Sequence, residues 1–187
     1  MNKKEIRKHH LDLRMLLTTE SVQLLSSKIN LQILNLISQN SKNKNIGLFY
    51  PYKNEVDVLL MTESLEKLGC VCLLPKVRSM GEPLDYFKYN SDKRDLQKGF
   101  GGIMEPIGEE IINPDIIVAS CSAFNEKGFR IGYGGGFFDR TIEQLKLKKN
   151  LITILAAFEL QRTNFDFQEN HDQKVDYICT ENKTYRI

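Results

Sequence analysis

Several absences bound this chain before any residue is assigned a role. No run approaches the ~18 consecutive apolar residues of a membrane-spanning helix, so no helical membrane segment is expected. No charge of one sign dominates: 26 Lys and Arg against 24 Asp and Glu leave +2, too little for a global field that would draw in nucleic acid or a membrane surface. Cysteine is sparse and unpatterned. Cys70, Cys72, Cys121 and Cys179 form no Cys-x-x-Cys pair and no zinc spacing. Buried free thiols and a reducing, cytoplasmic compartment are therefore expected. His9 and His10 have no partner at metal-ligand spacing and read as surface residues. The first residues are polar and charged, without the apolar stretch of a secretory signal. Tryptophan is absent, which excludes nothing. Internal repeats and low-complexity segments are also lacking. A chain of 187 residues, 41% hydrophobic and 27% charged, suits one globular domain over 1–187, expected to act as a monomer.

What is present alternates between helical and strand-like runs. Residues 2–17 read as a basic helix with Ile6, Leu13, Leu16 and Leu17 on its apolar side. Lys3 and Arg7 stand four apart and point the same way, as a solvated face or as ligands for an anion. Thr18 and Thr19 offer caps for a second helix to about residue 38, with Leu24, Leu25, Ile29, Leu31, Leu34 and Ile37 inward. A polar loop at 41–45 precedes a strand at 45–50, ended by Pro51. A helix at 55–68 stops at Gly69, and a second strand follows at 69–74. Residues 84–89 alternate aromatics and charges like an edge strand, and 92–101 form a charged loop. The run 115–119 is uniformly apolar after Asp115, as a buried central strand is. After it come a helix at 137–147 with Ile142, Leu145 and Leu147 inward, a buried strand at 151–158, a polar surface segment at 161–170 and a last strand at 175–180. Such alternation predicts a three-layer α/β/α domain.

The most informative stretch runs from Arg130 to Arg140. Gly132, Gly134, Gly135 and Gly136 fall within five positions, between Arg130 on one side and Asp139 and Arg140 on the other. Bare backbone of this kind can approach a ligand closely, and its successive N–H groups can form an anion cradle. A helix starting near Phe137 would add its dipole. The run is not a Walker A loop, since no Gly-Lys-Ser or Gly-Lys-Thr follows. It is not a dinucleotide fingerprint either, since the third required glycine falls on Phe137. A tight strand-to-helix turn without a ligand is the other reading, and the surrounding mixed charges weigh against it.

Arg130-Ile-Gly-Tyr-Gly-Gly-Gly-Phe-Phe-Asp139 closely resembles the signature of the 5-formyltetrahydrofolate cyclo-ligases, also called 5,10-methenyltetrahydrofolate synthetases. The start at Lys3 to Arg7 resembles blocks of that family as well. So do Phe49-Tyr-Pro-Tyr-Lys-Asn-Glu-Val-Asp57, Leu74-Pro-Lys-Val77, Gly102-Ile-Met-Glu-Pro106 and His171-Asp-Gln-Lys-Val-Asp176, all in the family's order.

The resemblance implies a mixed central sheet of the kind shared with ribose-phosphate isomerases and coenzyme A transferases. It also implies ATP- and Mg2+-dependent closure of 5-formyltetrahydrofolate to 5,10-methenyltetrahydrofolate, with ADP and phosphate released. On that reading ATP meets Lys3, Lys4, Glu5, Ile6, Arg7, Arg130, Ile131, Gly132, Tyr133, Gly134, Gly135, Gly136, Phe137 and Phe138. The folate meets Tyr50 and Glu55 together with Tyr133 to Phe137. Asp139 and Asp172 hold Mg2+, and Arg130 and Asp139 are the catalytic residues. Without the resemblance, Tyr50 is an ordinary strand aromatic, Glu55 a first-turn helix charge and Asp172 a turn residue. Glu105 is a second-tier candidate, and Tyr86, Phe87 and Tyr89 are either a stacking wall or a plain sheet face. Cys121 stands where the family commonly has proline and Asn125 where it has aspartate, and Phe137 and Phe138 replace a tyrosine pair. The last change argues against proton transfer by those hydroxyls. Two other classes share the sequence features: a sugar-phosphate isomerase or acyl transferase with a phosphate loop but no ATP, and a non-enzymatic phosphate or RNA binder. The second lacks a basic-aromatic stripe.

Overall fold

Apolar residues that alternate along the inner strands bind helices on both faces of one sheet. In the computed structural model, which describes residues 1–40, 44–91 and 93–187, strand β6 (Ile116–Ala119) is buried at every position. Its Ile116 and Val118 join the cluster built on Ile29, Ile33 and Ile37 of helix α2 (Thr19–Asn40). Its Ile117 and Ala119 join the cluster built on Ile142 and Leu145 of α4 (Phe137–Lys146). Two such faces produce three layers.

Around β6 the sheet runs in the order β11-β10-β9-β6-β1-β2-β3. The strands are β1 (Asn45–Gly47), β2 (Val71–Val77), β3 (Leu84–Lys88), β9 (Ile152–Ala156), β10 (Tyr177–Cys179) and β11 (Thr184–Arg186). The five inner strands are parallel, and β3 and β11 are antiparallel edges. Gly47 permits close approach here: a Cβ would lie 2.7 Å from the Tyr86 ring on β3.

Several local expectations give way to tertiary context. Helix α1 (Lys3–Met15) starts in a capping box, in which the Asn2 side chain accepts from Glu5 N and the Glu5 side chain accepts from Asn2 N. Its inner face, however, is Ile6, His10 and Arg14, and Leu16 is 79% exposed. His10 is thus not a surface residue; its Nδ1 lies 2.9 Å from Leu160 O. On α2, Leu24 and Leu31 face solvent. The inward stripe includes Ser26 and Asn30, which bond the backbone of Asp57 at 2.9 and 2.8 Å. Polar residues spent on a backbone partner hide the apolar face from a simple pattern search. Leu147 is exposed, one residue past the end of α4.

The helix expected at 55–68 starts late. Lys53 and Asn54 take positive φ, and the Asp57 side chain caps a single 3-10 turn, Val58–Met61, ahead of α3 (Thr62–Lys67). Strand β2 runs through Pro75, because its pairing with β1 ends at Leu73 and the proline needs no ladder donor on that side. A hairpin of β7 (Ala123–Phe124) and β8 (Arg130–Ile131) stands between β6 and the glycine run. Asn125 closes its turn, accepting from Lys127 N and Phe129 N through Oδ1. An amide oxygen serves there as a carboxylate would. A second small sheet pairs β4 (Leu96–Lys98) with β5 (Met104–Pro106). The expected polar loops at 41–45 and 92–101 fall partly outside the described residues. No helix among the described residues is long and apolar enough to cross a membrane.

Candidate active site

Parallel strands end together, and the chain leaving them is free to line a cleft. Beyond the carboxyl ends of β1, β2 and β6 lies a cavity of about 740 Å³, within the usual size for a small-molecule site. It gathers Lys3, Arg7, Tyr50, Glu55, Glu105, Arg130, the whole run from Ile131 to Asp139, and Asp172. Lys4 and Glu5 are exposed and do not line it, and Ile6 is buried with Ala123, Ile131 and Phe167 beneath α1. Tyr86, Phe87 and Tyr89 are buried and stay out of the cavity wall, as a plain sheet face does.

The glycine run is held by arginines from three directions. Arg7 Nε donates to Gly132 O at 2.6 Å, Arg14 donates to the Tyr133 hydroxyl at 2.7 Å, and Arg140 donates to Gly135 O. Gly134 has φ +102 and Gly136 φ +65, so the bend needs glycine at both positions. Gly136 is also the N-cap of α4 and, as glycine, supplies no side-chain cap to the helix's first N–H groups. Phe137 and Phe138 lie under the guanidinium groups of Arg140 and Arg130, at 5.5 and 5.6 Å.

Arg130 is buried. It pairs with Asp139 Oδ1 at 3.2 Å and donates to Gln173 O at 3.1 Å. Asp139 Oδ1 also accepts from Gln173 N at 3.0 Å, which draws the 171–173 segment and Asp172 to the same wall. Asp172 Oδ2 takes Lys3 Nζ at 2.7 Å and Glu169 N at 2.7 Å. Asp139 Oδ2 and Asp172 Oδ1 accept no hydrogen bond from the described residues. Among those residues, no group of three or more His, Cys, Asp or Glu is placed to hold a metal. Each of the two cavity-lining carboxylates, Asp139 and Asp172, thus keeps one hard oxygen of the kind a divalent cation takes.

A second part of the wall, with Phe49, Tyr50, Pro75 and Val77, is apolar around one buried acid. Glu55 is 4% exposed; its Oε2 accepts from Tyr52 N at 3.0 Å and its Oε1 has no hydrogen-bond partner. Burial pushes this carboxyl above the usual range, against the pull of Arg14. Cys121 is buried with its thiol pushed up to about 12 by desolvation, which makes it structural rather than nucleophilic. All four cysteines are free and buried, as expected.

Spacing alone did not single out Arg14, Tyr52, Ser120, Phe100 or Glu169. Arg14 carried a signal: Lys3, Arg7, His10 and Arg14 recur at helical spacing on one face of α1. The others sit in loops where no periodicity operates.

Glu105 proves to be a brace. Its Oε1 accepts from both Val77 N at 3.2 Å and Phe100 N at 3.1 Å, tying the Phe100 turn to the end of β2. Phe100 then meets Phe137 edge to face at 5.6 Å. Glu105→Ala is expected to loosen this turn and cost about 1–3 kcal/mol in urea unfolding. Glu105→Gln keeps an oxygen at the bridging position and should stay within about 1 kcal/mol of wild type. Equal losses in both variants would mean that the charge, not the bridge, matters.

Known proteins resemble the chain over nearly its whole length. The sequence profile of the 5-formyltetrahydrofolate cyclo-ligase family matches residues 1–181. A 5-formyltetrahydrofolate cyclo-ligase of Haemophilus influenzae is 30% identical over 164 residues, covering 84% of each chain. One from Mycoplasma pneumoniae is 27% identical over 182 residues, covering 97% of this chain and 99% of its own. Among solved structures, a 5,10-methenyltetrahydrofolate synthetase from Mycoplasma pneumoniae superposes with a TM-score of 0.79 at 25% identity, covering 97% of this chain and 99% of that one. The NMR structure of the Aquifex aeolicus synthetase gives 0.78 at 28%, covering 100% and 93%. With a family profile spanning nearly the whole chain and the same mixed sheet in solved members, the chain belongs to the 5-formyltetrahydrofolate cyclo-ligase family of enzymes.

Proposed function

We propose that the chain closes 5-formyltetrahydrofolate to 5,10-methenyltetrahydrofolate at the expense of ATP, with Mg2+, releasing ADP and phosphate. The observation that carries this reading is the meeting of two walls in one cavity. A cation-ringed glycine run and an apolar wall that holds a buried acid line the same cavity, and Tyr133 of the run faces that acid.

The formyl group on N5 is an amide whose oxygen leaves poorly. Transfer of the γ-phosphoryl to that oxygen creates a good leaving group. N10 then attacks the activated carbon and gives up its proton, the C–O bond breaks, and phosphate departs carrying that proton. The protein's task is alignment and charge compensation rather than covalent chemistry. Lys3, Arg7 and Arg130 offset phosphoryl charge, and the amides of 132–136 bind the phosphate oxygens. Asp139 and Asp172 would hold Mg2+, which draws charge off those oxygens. Glu55 Oε1 would accept from a pterin amino group, with Tyr50 against the ring. We also read residues 1–187 as one domain of the ribose-phosphate isomerase and coenzyme A transferase type, monomeric and cytoplasmic.

The test is absorbance of 5,10-methenyltetrahydrofolate formed from 5-formyltetrahydrofolate, with and without ATP and Mg2+. Product should form only when both are present. ATP with Mg2+ should also raise the unfolding temperature by a few degrees at about 100 Kd. A sugar-phosphate isomerase on the same scaffold would show neither effect.

A further inference from the structure

One buried cation on α1 does not line the cavity. Arg14 is 1% exposed. Its Nε donates to Lys53 O at 2.9 Å, and its two terminal nitrogens donate to Cys121 O and to the Tyr133 hydroxyl, each at 2.7 Å. The guanidinium therefore joins α1 to the loop before Glu55, to the turn after β6 and to the glycine run. Its remaining reach is toward Glu55 Oε1, 4.0 Å away, the oxygen that has no hydrogen-bond partner. Ser120, Cys121 and Tyr133 also face Glu55, from the segment after β6 and from the glycine run, and Arg14 is the only cation among these neighbours.

We infer that Arg14 is a positioning residue, which keeps the buried Glu55 ionised and aims it, with Tyr133, into the cavity. The physical need is plain. A carboxylate taken out of water without a counter-charge protonates, and a protonated Glu55 could no longer accept two hydrogen bonds freely. Burial does push this acid upward, and Arg14 is the largest influence opposing it. The 4.0 Å gap keeps the guanidinium from consuming Oε1 as a direct bidentate pair would, so the carboxylate stays open to the Ser120 and Tyr133 hydroxyls or to a ligand donor. Arg14 also fills one acceptor position on the Tyr133 hydroxyl, which leaves the phenolic hydrogen to turn toward Tyr52 O, 3.4 Å away, or toward the Glu55 carboxylate. The role assigned to Glu55 in folate binding rests on the function proposed above; the claim about its charge does not.

The experiment is a 13C NMR titration of the side-chain carboxyls in the full chain, with Glu55→Gln to assign the signal, combined with steady-state kinetics. In wild type, Glu55 should be ionised at pH 7.5. In Arg14→Gln its midpoint should rise by about one pH unit or more, and in Arg14→Lys it should stay close to wild type. KM for 5-formyltetrahydrofolate should rise about tenfold in Arg14→Gln, with KM for ATP within about twofold. The double variant with Glu55→Gln should be no worse than Glu55→Gln alone. A wild-type Glu55 still protonated at pH 7.5 overturns the inference even if Arg14→Gln does not fold. An unchanged midpoint in Arg14→Gln, or additive losses in the double variant, overturns it as well. Absence of any ATP-dependent product from wild type would instead count against the proposed reaction, and the carboxyl titration would still judge Arg14.

Discussion

Arg130→Ala is expected to lower kcat by at least about 10³-fold, because it removes two things together. The first is a buried positive charge at the entry to the glycine run, held in a site where water screens it little. The second is a strut. Arg130 pairs with Asp139 at 3.2 Å and holds Gln173 O at 3.1 Å, so its loss frees the segment that carries Asp172. Arg130→Lys keeps the charge but not the fork that reaches both partners, and should fall between. The reverse deletion, Asp139→Ala, is costlier to the fold. It leaves a guanidinium whose side chain is 2% exposed without its ion-pair partner, a situation that costs about 3–5 kcal/mol when both charges are buried and less here, since Asp139 is 20% exposed. Asp139→Asn keeps an oxygen for Gln173 N and isolates the chemical effect. Product absorbance and urea midpoints together separate the two contributions, and full turnover by Arg130→Ala would mean that the phosphoryl site lies elsewhere.

How much of this was legible in the sequence depends on where each residue sits. The central strand at 116–119 announced itself, because burial on both faces leaves an uninterrupted apolar run. Helix α4 and the glycine run before it were equally plain, because glycine and helix periodicity are local signals. Strand order was not, since the pairing of β6 with both β1 and β9 joins segments far apart in the chain. The same holds for the site. Arg130 and Asp139 bracket the glycines and could be nominated together. That Lys3 would meet Asp172, 169 residues away, follows only from the fold. Arg14 was the residue most easily misread. A basic residue on a basic helix is normally solvated, and only three backbone and hydroxyl acceptors arriving from other segments make its burial tolerable.

The glycine run can be made to decide between a phosphate cradle and a plain turn, because its members differ in what a methyl group would meet. At Gly134, φ is +102, and alanine there is strained whatever the surrounding space. Gly134→Ala should therefore cost about 1–3 kcal/mol of stability, and its loss of activity would be ambiguous. Gly132 lines the cavity, has no positive φ, and a Cβ built on it has nothing within 4 Å. Gly132→Ala should consequently fold as wild type, with an unchanged unfolding temperature. If that open space belongs to a nucleotide phosphate, the added methyl fills it, and KM for ATP should rise on the order of 10–100-fold while KM for 5-formyltetrahydrofolate moves little. If the run is merely a turn, the same variant should be silent in both stability and kinetics. A Gly132→Ala enzyme with wild-type affinity for ATP would thus remove the anion cradle from the site while leaving the fold that surrounds it in place.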